Sequence, residues 1–186
     1  MAILKVARLG HPALRTKAQT VPRNQIGSSR VQRLIDDMFE TMQEYAGIGL
    51  AAPQVHESLR IFVAGVREAA LVNPMGDDTE MPLVALVNPV LAPVGDVIDS
   101  GWEGCLSIPD IRGKVPRAWS ITVRALDRKG HPLEFVAEGL PARVIQHETD
   151  HLDGILFFDR MSSFETLAFM DEFRKYWAKD EDEDEK

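Results

Sequence analysis

The run His147-Glu148-Thr149-Asp150-His151 restricts the fold of this chain more than any other feature. On a helix, two imidazoles four positions apart stack on one face about 6 Å apart along the axis and can converge on one divalent metal. The surrounding residues agree with a helix over about 140–153, with Pro141 near its start and Gly154 as its stop. Val144, Ile145 and Leu152 give that helix a buried side. Glu148 projects toward the flank of the histidine face, within reach of a water activated by a shared cation. Neutral imidazoles, an open coordination position and a carboxylate that accepts a proton from water are the parts of a metal-dependent hydrolase.

Two histidines do not complete a metal site, and no histidine follows His151. Downstream acids exist in Asp153, Asp159 and Glu165; upstream there is Cys105. A lone cysteine is most often a small buried hydrophobe. Here Gly104 allows close backbone approach and Pro109 is expected to end regular structure, so Cys105 stands as a second source of the third ligand. A third segment, Gly47-Ile48-Gly49-Leu50-Ala51-Ala52-Pro53-Gln54, lacks the Lys and Ser/Thr of a phosphate-binding loop and follows a helix rather than a strand. It reads as backbone passing close to a ligand, with the Gln54 amide offered to a developing oxyanion.

These segments sit in an α+β pattern. Ser28 is a suitable N-cap for a helix over about 29–46, where Val31, Leu34, Ile35, Met38, Phe39 and Met42 form one apolar stripe and Gly47 is placed to end it. Strands are expected over 60–66, 83–94, 118–127 and 132–138, with a hairpin turn at Arg128-Lys129-Gly130. Pro89 and Pro93 point to an edge or irregular strand, and 68–81 reads as an excursion between strands. A last helix is expected over 163–179, with Phe164, Leu167, Ala168 and Phe173 as core candidates, and the opening segment to about Asn24 as an extended arm.

With 186 residues, 45% hydrophobic and 27% charged, the chain can bury one ordinary core, expected over 1–179. One cysteine excludes an intrachain disulfide framework, and neither a signal peptide nor a membrane span is expected, so the reading is cytoplasmic. The net charge of −8 is uneven: 180–186 carry six acids and one lysine, and without them 23 acids face 20 bases. That tail is expected to be disordered. Neither form has the basic surplus of a general nucleic-acid binder, and the tail opposes the small basic cluster of Arg174, Lys175 and Lys179.

Together the three segments resemble the peptide deformylase family, whose motifs have the forms GφGφAAxQ, EGCφS and QHExDH, φ being apolar. Here they read G-I-G-L-A-A-P-Q over 47–54, E-G-C-L-S over 103–107 and Q-H-E-T-D-H over 146–151, in the family's order. The resemblance spans about 1–177 and is nearest the bacterial and organellar type. It implies antiparallel or mixed sheets around a central metal-binding helix, with an N-terminal and a C-terminal helix. It implies removal of the formyl group from N-formylmethionyl nascent peptides. From charge and hydropathy, no stable nucleic-acid or membrane binding is expected, and any ribosome association is expected to be transient. By resemblance, Cys105, His147 and His151 bind one divalent metal, natively Fe2+, with Zn2+, Ni2+ or Co2+ as substitutes in a purified sample. Glu148 is the general base and acid, Gln54 and the Leu106 N–H hold the formyl oxygen, and Gly49, Ile48 and Arg112 contact the peptide. Ile48, Trp102, Leu140 and Val144 are candidates for the methionine pocket, with Arg143 at its rim or in water. Asp150 is expected to pair with an arginine such as Arg117.

Overall fold

The computed structural model describes residues 2–65 and 81–178. The expected excursion after Gly65 and the acidic tail lie outside them, apart from Met81. Helices α1 (Arg23–Ile26) and α2 (Ser29–Glu44) are followed by strands β1 (Gly49–Ala51), β2 (Ile61–Ala64) and β3 (Val84–Pro93). Strands β4 (Ile98–Cys105), β5 (Ile108–Ala118), β6 (Ser120–Leu126) and β7 (Pro132–Glu138) lead into α3 (Gly139–Leu152). A two-residue strand, β8 (Ala168–Phe169), runs directly into α4 (Met170–Tyr176). One sheet has the order β1-β2-β3-β6-β7 and the other β4-β5-β8, all pairs antiparallel. This is an α+β fold with the metal-motif helix α3 between the two sheets, touching β1, β2, β6 and β7 on one side and β5 on the other.

The apolar periodicity of α2 is fulfilled: Val31, Ile35, Met38 and Met42 are buried against β1, β2 and β3. The Ser28 side chain caps it by accepting from the Val31 N–H. The stop differs from the expectation. The Gly47 N–H returns to the Met42 carbonyl at 2.8 Å and the Ala46 N–H to Gln43 at 3.0 Å, so the left-handed position of this Schellman ending is Ala46, with φ 52°. Gly47 is small for another reason: a Cβ there would lie 2.8 Å from the Leu106 side chain. Gly154 does end α3 as expected, with φ 74°.

Strand β3 is irregular but is not an edge. It lies between β2 and β6, and its register breaks between Val87 and Val90, which places Pro89 in a bulge where no ladder N–H is needed. Strands β1, β4, β5 and β8 are not among the expected ones. Pro109 does not end regular structure; it lies inside β5. The turn at 128–130 is present, with the Gly130 N–H donating to the Asp127 carbonyl at 2.9 Å. The C-terminal helix is much shorter than expected. Ala168 and Phe169 pair with Arg112 and Ile111 of β5, and this pairing takes the backbone away from helix until Met170. Phe164 and Phe169 are exposed, Leu167 is partly exposed and Ala168 half-buried, so only Phe173 of the four core candidates is buried. Phe173 and Trp177 close over Trp102 at 4.7 and 5.6 Å between ring centres, fixing α4 on the smaller sheet.

The N-terminal arm is extended apart from a 3-10 turn at Pro12–Arg15, and it stitches the motifs together. The Ala7 N–H donates to the Gln54 carbonyl at 2.7 Å, the Leu9 N–H to Ser107 at 2.8 Å and the Ala18 N–H to Leu152 at 2.8 Å.

Candidate metal centre

Cys105 ends β4, and His147 and His151 lie one turn apart on α3. Their ligand atoms lie within 4.8 Å of one another, and among the described residues no other Cys, His, Asp or Glu joins them. The Cys105 Sγ is 3.3 Å from His151 Nε2. His147 Nδ1 is 2.8 Å from Glu103 Oε2, which leaves Nε2 as its free nitrogen. The downstream acids left open by the sequence are elsewhere: Asp153 pairs with Arg60, Asp159 with Arg15, and Glu165 is exposed. The donor set of one sulfur and two imidazoles suits a divalent transition metal with a coordination position to spare.

Glu148 sits beside this set and is buried, and its Oε2 has no hydrogen-bond partner among the described residues. A buried, unpartnered carboxylate oxygen is costly unless something absent from the protein itself meets it. Burial, with a smaller push from the Glu103 charge, raises the Glu148 carboxyl to about 7; His147 and Arg117 oppose this. The carboxylate lies directly over Gly49, where a Cβ would fall 2.2 Å from Oε1. Gly49 of the first motif is thus the gap into which Glu148 of the third motif fits. The close approach expected at Gly104 is ordinary contact, since a Cβ there would be 3.6 Å from the Arg112 guanidinium.

Gln54 is buried with its amide oriented. Oε1 accepts from the Ala51 N–H at 2.7 Å, which turns Nε2 toward Cys105 Sγ at 3.5 Å and Ser107 Oγ at 3.2 Å. Leu106 follows Cys105 at the turn into β5 and packs over Gly47. Arg112 lies across Gly104, its guanidinium 5.7 Å from the centre of the Phe173 ring. Ile48, Leu140 and Val144 share one apolar cluster, whereas Trp102 is placed against α4.

Behind Cys105, His147 and His151 is a buried charge network that sequence reasoning largely missed. Glu103 receives Arg117 Nε at 2.9 Å and Nη2 at 3.0 Å, and Arg117 Nη1 continues to Asp150 Oδ2 at 2.5 Å. The expected Asp150–Arg117 pair is therefore present, with Arg160 as a second partner of Asp150 at 2.7 Å. Burial alone would raise the Glu103 carboxyl, but the hydrogen bonds and charges of Arg117 and His147 hold it well below the usual carboxylate range. Burial would lower the Arg117 guanidinium, and Glu103 and Asp150 raise it instead. His147 is pushed up by Cys105 and Glu103 against its burial, while burial and the neighbouring cations push His151 down. Arg143 is neither at a pocket rim nor in water: it is buried, with Nη1 on Glu103 at 2.9 Å. Gln146 has a structural part that its place in the motif does not reveal. Its amide pairs with both backbone groups of Ala118, at 2.9 and 3.1 Å, tying the end of β5 to α3. The available signal was that Glu103 and Gln146 are fixed letters of motifs whose liganding residues are their neighbours.

A family model described as polypeptide deformylase matches residues 3–166. The chain belongs to the polypeptide deformylase family. Peptide deformylase 2 of Pseudomonas putida is 40% identical over 167 residues, covering 90% of this chain and 92% of that protein. The peptide deformylase of Chromohalobacter salexigens is 44% identical over 162 residues, 87% and 88% of the two chains. Among solved structures, the Met-Ala-Ser-bound class I type b peptide deformylase of Acinetobacter baumannii superposes with a TM-score of 0.81 at 41% identity, covering 86% of this chain and 99% of that one. Deformylases are metal-dependent hydrolases that remove the N-formyl group from nascent peptides, and this chain carries a Cys/His/His set that fits such a metal. No helix among the described residues is long and apolar enough to cross a membrane.

Proposed function

We propose that this chain deformylates N-formylmethionyl nascent peptides in the cytoplasm, at a single Fe2+ centre held by Cys105, His147 and His151. The observation that carries the reading is the convergence of these three ligands beside a buried carboxylate, Glu148, that has an unpartnered oxygen. The bound cation would polarise the formyl carbonyl and bring the pKa of water toward neutrality. Glu148 takes the proton of the attacking water and returns it to the departing amine. Its raised pKa suits a group that must both accept and donate near neutral pH. The Gln54 amide and the Leu106 N–H donate to the charge that develops on the formyl oxygen. Gln54 can do so without reorienting, because the Ala51 N–H already fixes its Oε1. Ile48, Gly49 and Arg112 contact the peptide, and Ile48, Leu140 and Val144 offer apolar surface to the methionine side chain. Residues 1–179 act as one metallohydrolase domain with 180–186 as an acidic appendage, which favours a transient encounter with the ribosome over stable RNA binding.

Formate release from a formyl-methionyl tripeptide tests the assignment. Glu148→Gln is expected to lower kcat by about 10²–10⁴-fold while the metal content stays that of the parent. Turnover equal to the parent's would remove Glu148 from the chemistry. Anaerobic purification followed by metal analysis is expected to find iron; zinc alone in the most active fraction would overturn the choice of metal.

A further inference from the structure

We propose that Arg143 is a positioning residue of the metal centre, holding the Glu103 carboxylate against His147. The inference rests on the reading of Cys105, His147 and His151 as the ligands. Arg143 lies one turn before His147 on α3, and its guanidinium reaches across to the strand that carries Cys105. Nη1 donates to Glu103 Oε1 at 2.9 Å and to the Val115 carbonyl at 2.7 Å, with the Gly101 carbonyl at 3.3 Å. Nη2 donates to the Asp99 carbonyl at 2.9 Å and to Asp99 Oδ2 at 2.7 Å. Its place is made by Gly101, where a Cβ would lie 3.0 Å from the guanidinium carbon.

The consequence falls on Glu103. Arg117 Nε and Arg143 Nη1 meet one carboxylate oxygen; Arg117 Nη2 and His147 Nδ1 meet the other. Two donors on each oxygen use the acceptor capacity of both and leave the carboxylate no second orientation. Without Arg143, one side of Oε1 is open, and the carboxylate can turn about its contacts with Arg117 and away from His147. The His147 ring would then keep only ring contacts, with His151 at 5.0 Å and Phe157 at 6.4 Å between centres, and neither fixes the direction of its nitrogens. Hydrogen-bond partners that orient a liganding imidazole typically change metal affinity by about 10–100-fold.

The test uses full-length protein loaded with Ni2+, with release to a competing chelator as the readout and thermal unfolding of each variant alongside. Arg143→Met is expected to release Ni2+ at least about 10-fold faster than the parent. Arg143→Lys, a cation without the planar fork, is expected to fall between the two, and it serves if the methionine variant does not fold. Asp99→Ala removes an outer side-chain partner but leaves the Glu103 contact, and is expected to match the parent within about twofold. Parent-like release from Arg143→Met, whatever its Tm, would make Arg143 merely structural and overturn the proposal, as would Asp99→Ala losing metal as fast as Arg143→Met. Cys105→Ser with the parent's Ni2+ affinity would instead refute the ligand assignment, and the proposal with it.

Discussion

Helix α3 has two unlike walls. Toward the five-stranded sheet it presents Ala142, Val144, Ile145 and Leu152 to an apolar cluster with Phe62, Leu86, Ile121 and Val123. Toward β4 and β5 it presents Arg143, His147 and Asp150 to Glu103 and Arg117, in a buried lattice of charge-assisted hydrogen bonds. The apolar wall holds the helix by area, which is non-directional and forgiving of small changes of shape. The charged wall holds it by angle and distance, and losing one partner there leaves another charge buried and unpaired. A metal centre gains from the second kind of support. Burial fixes where a helix lies; only directional contacts fix how an imaginary line from one ring nitrogen to a neighbouring sulfur is oriented.

The largest effect should come from the charged wall. Glu103→Ala leaves Arg117, Arg143 and His147 without their common acceptor, and is expected to cost about 3–5 kcal/mol in denaturant unfolding and to lower metal retention. A loss near zero in both would mean that Asp150 and Asp99 suffice. Next is the pH dependence of the metal-free protein. The Glu148 carboxyl is raised to about 7 from an ordinary 4.5, so the folded form binds that proton more tightly than the unfolded chain. Its contribution is complete below the unfolded value and is lost as pH rises through about 7, a change of up to about 3 kcal/mol. Metal-free parent should therefore lose Tm relative to metal-free Glu148→Gln between pH 5 and pH 8.5; a difference independent of pH would contradict the shift.

On the apolar wall, Ile145→Val removes one buried methylene and is expected to cost about 1 kcal/mol with no change in metal content. Metal loss from that variant would show that the two walls are coupled after all. The smallest effect is at the surface, where the Arg124–Glu134 pair is exposed on both sides. Arg124→Ala should leave Tm and formate release unchanged within error, as expected of a solvated ion pair.

The charged wall is also where sequence reading was weakest. Strands β4 and β5 carry Asp99, Gly101, Glu103, Gly104, Pro109, Gly113 and Pro116, residues poor in strand propensity. They become strands because their partners lie across a long hairpin and on α3. The reverse error occurred at 163–169, where local spacing suits a helix but pairing of Ala168 and Phe169 with β5 prevails. The five-stranded side was more legible, because β2 and β3 are rich in apolar residues, β6 and β7 in β-branched or apolar ones, and α2 has a regular stripe.

The sequence by itself determined the two helices that matter, α2 and α3, along with β2, β3, β6 and β7 of the larger sheet and the three motifs. These depend on periodicity and residue type over a few turns of chain, which neighbours in sequence already fix. Tertiary structure decided that Cys105 rather than Asp153, Asp159 or Glu165 stands beside the histidines, that Gly49 makes room for Glu148, and that Arg143 turns inward to Glu103. Each of those outcomes is a contact between residues some 40 or more positions apart or a competition for one partner. The winner is set by distance in space and by which buried charge would otherwise go unpaired.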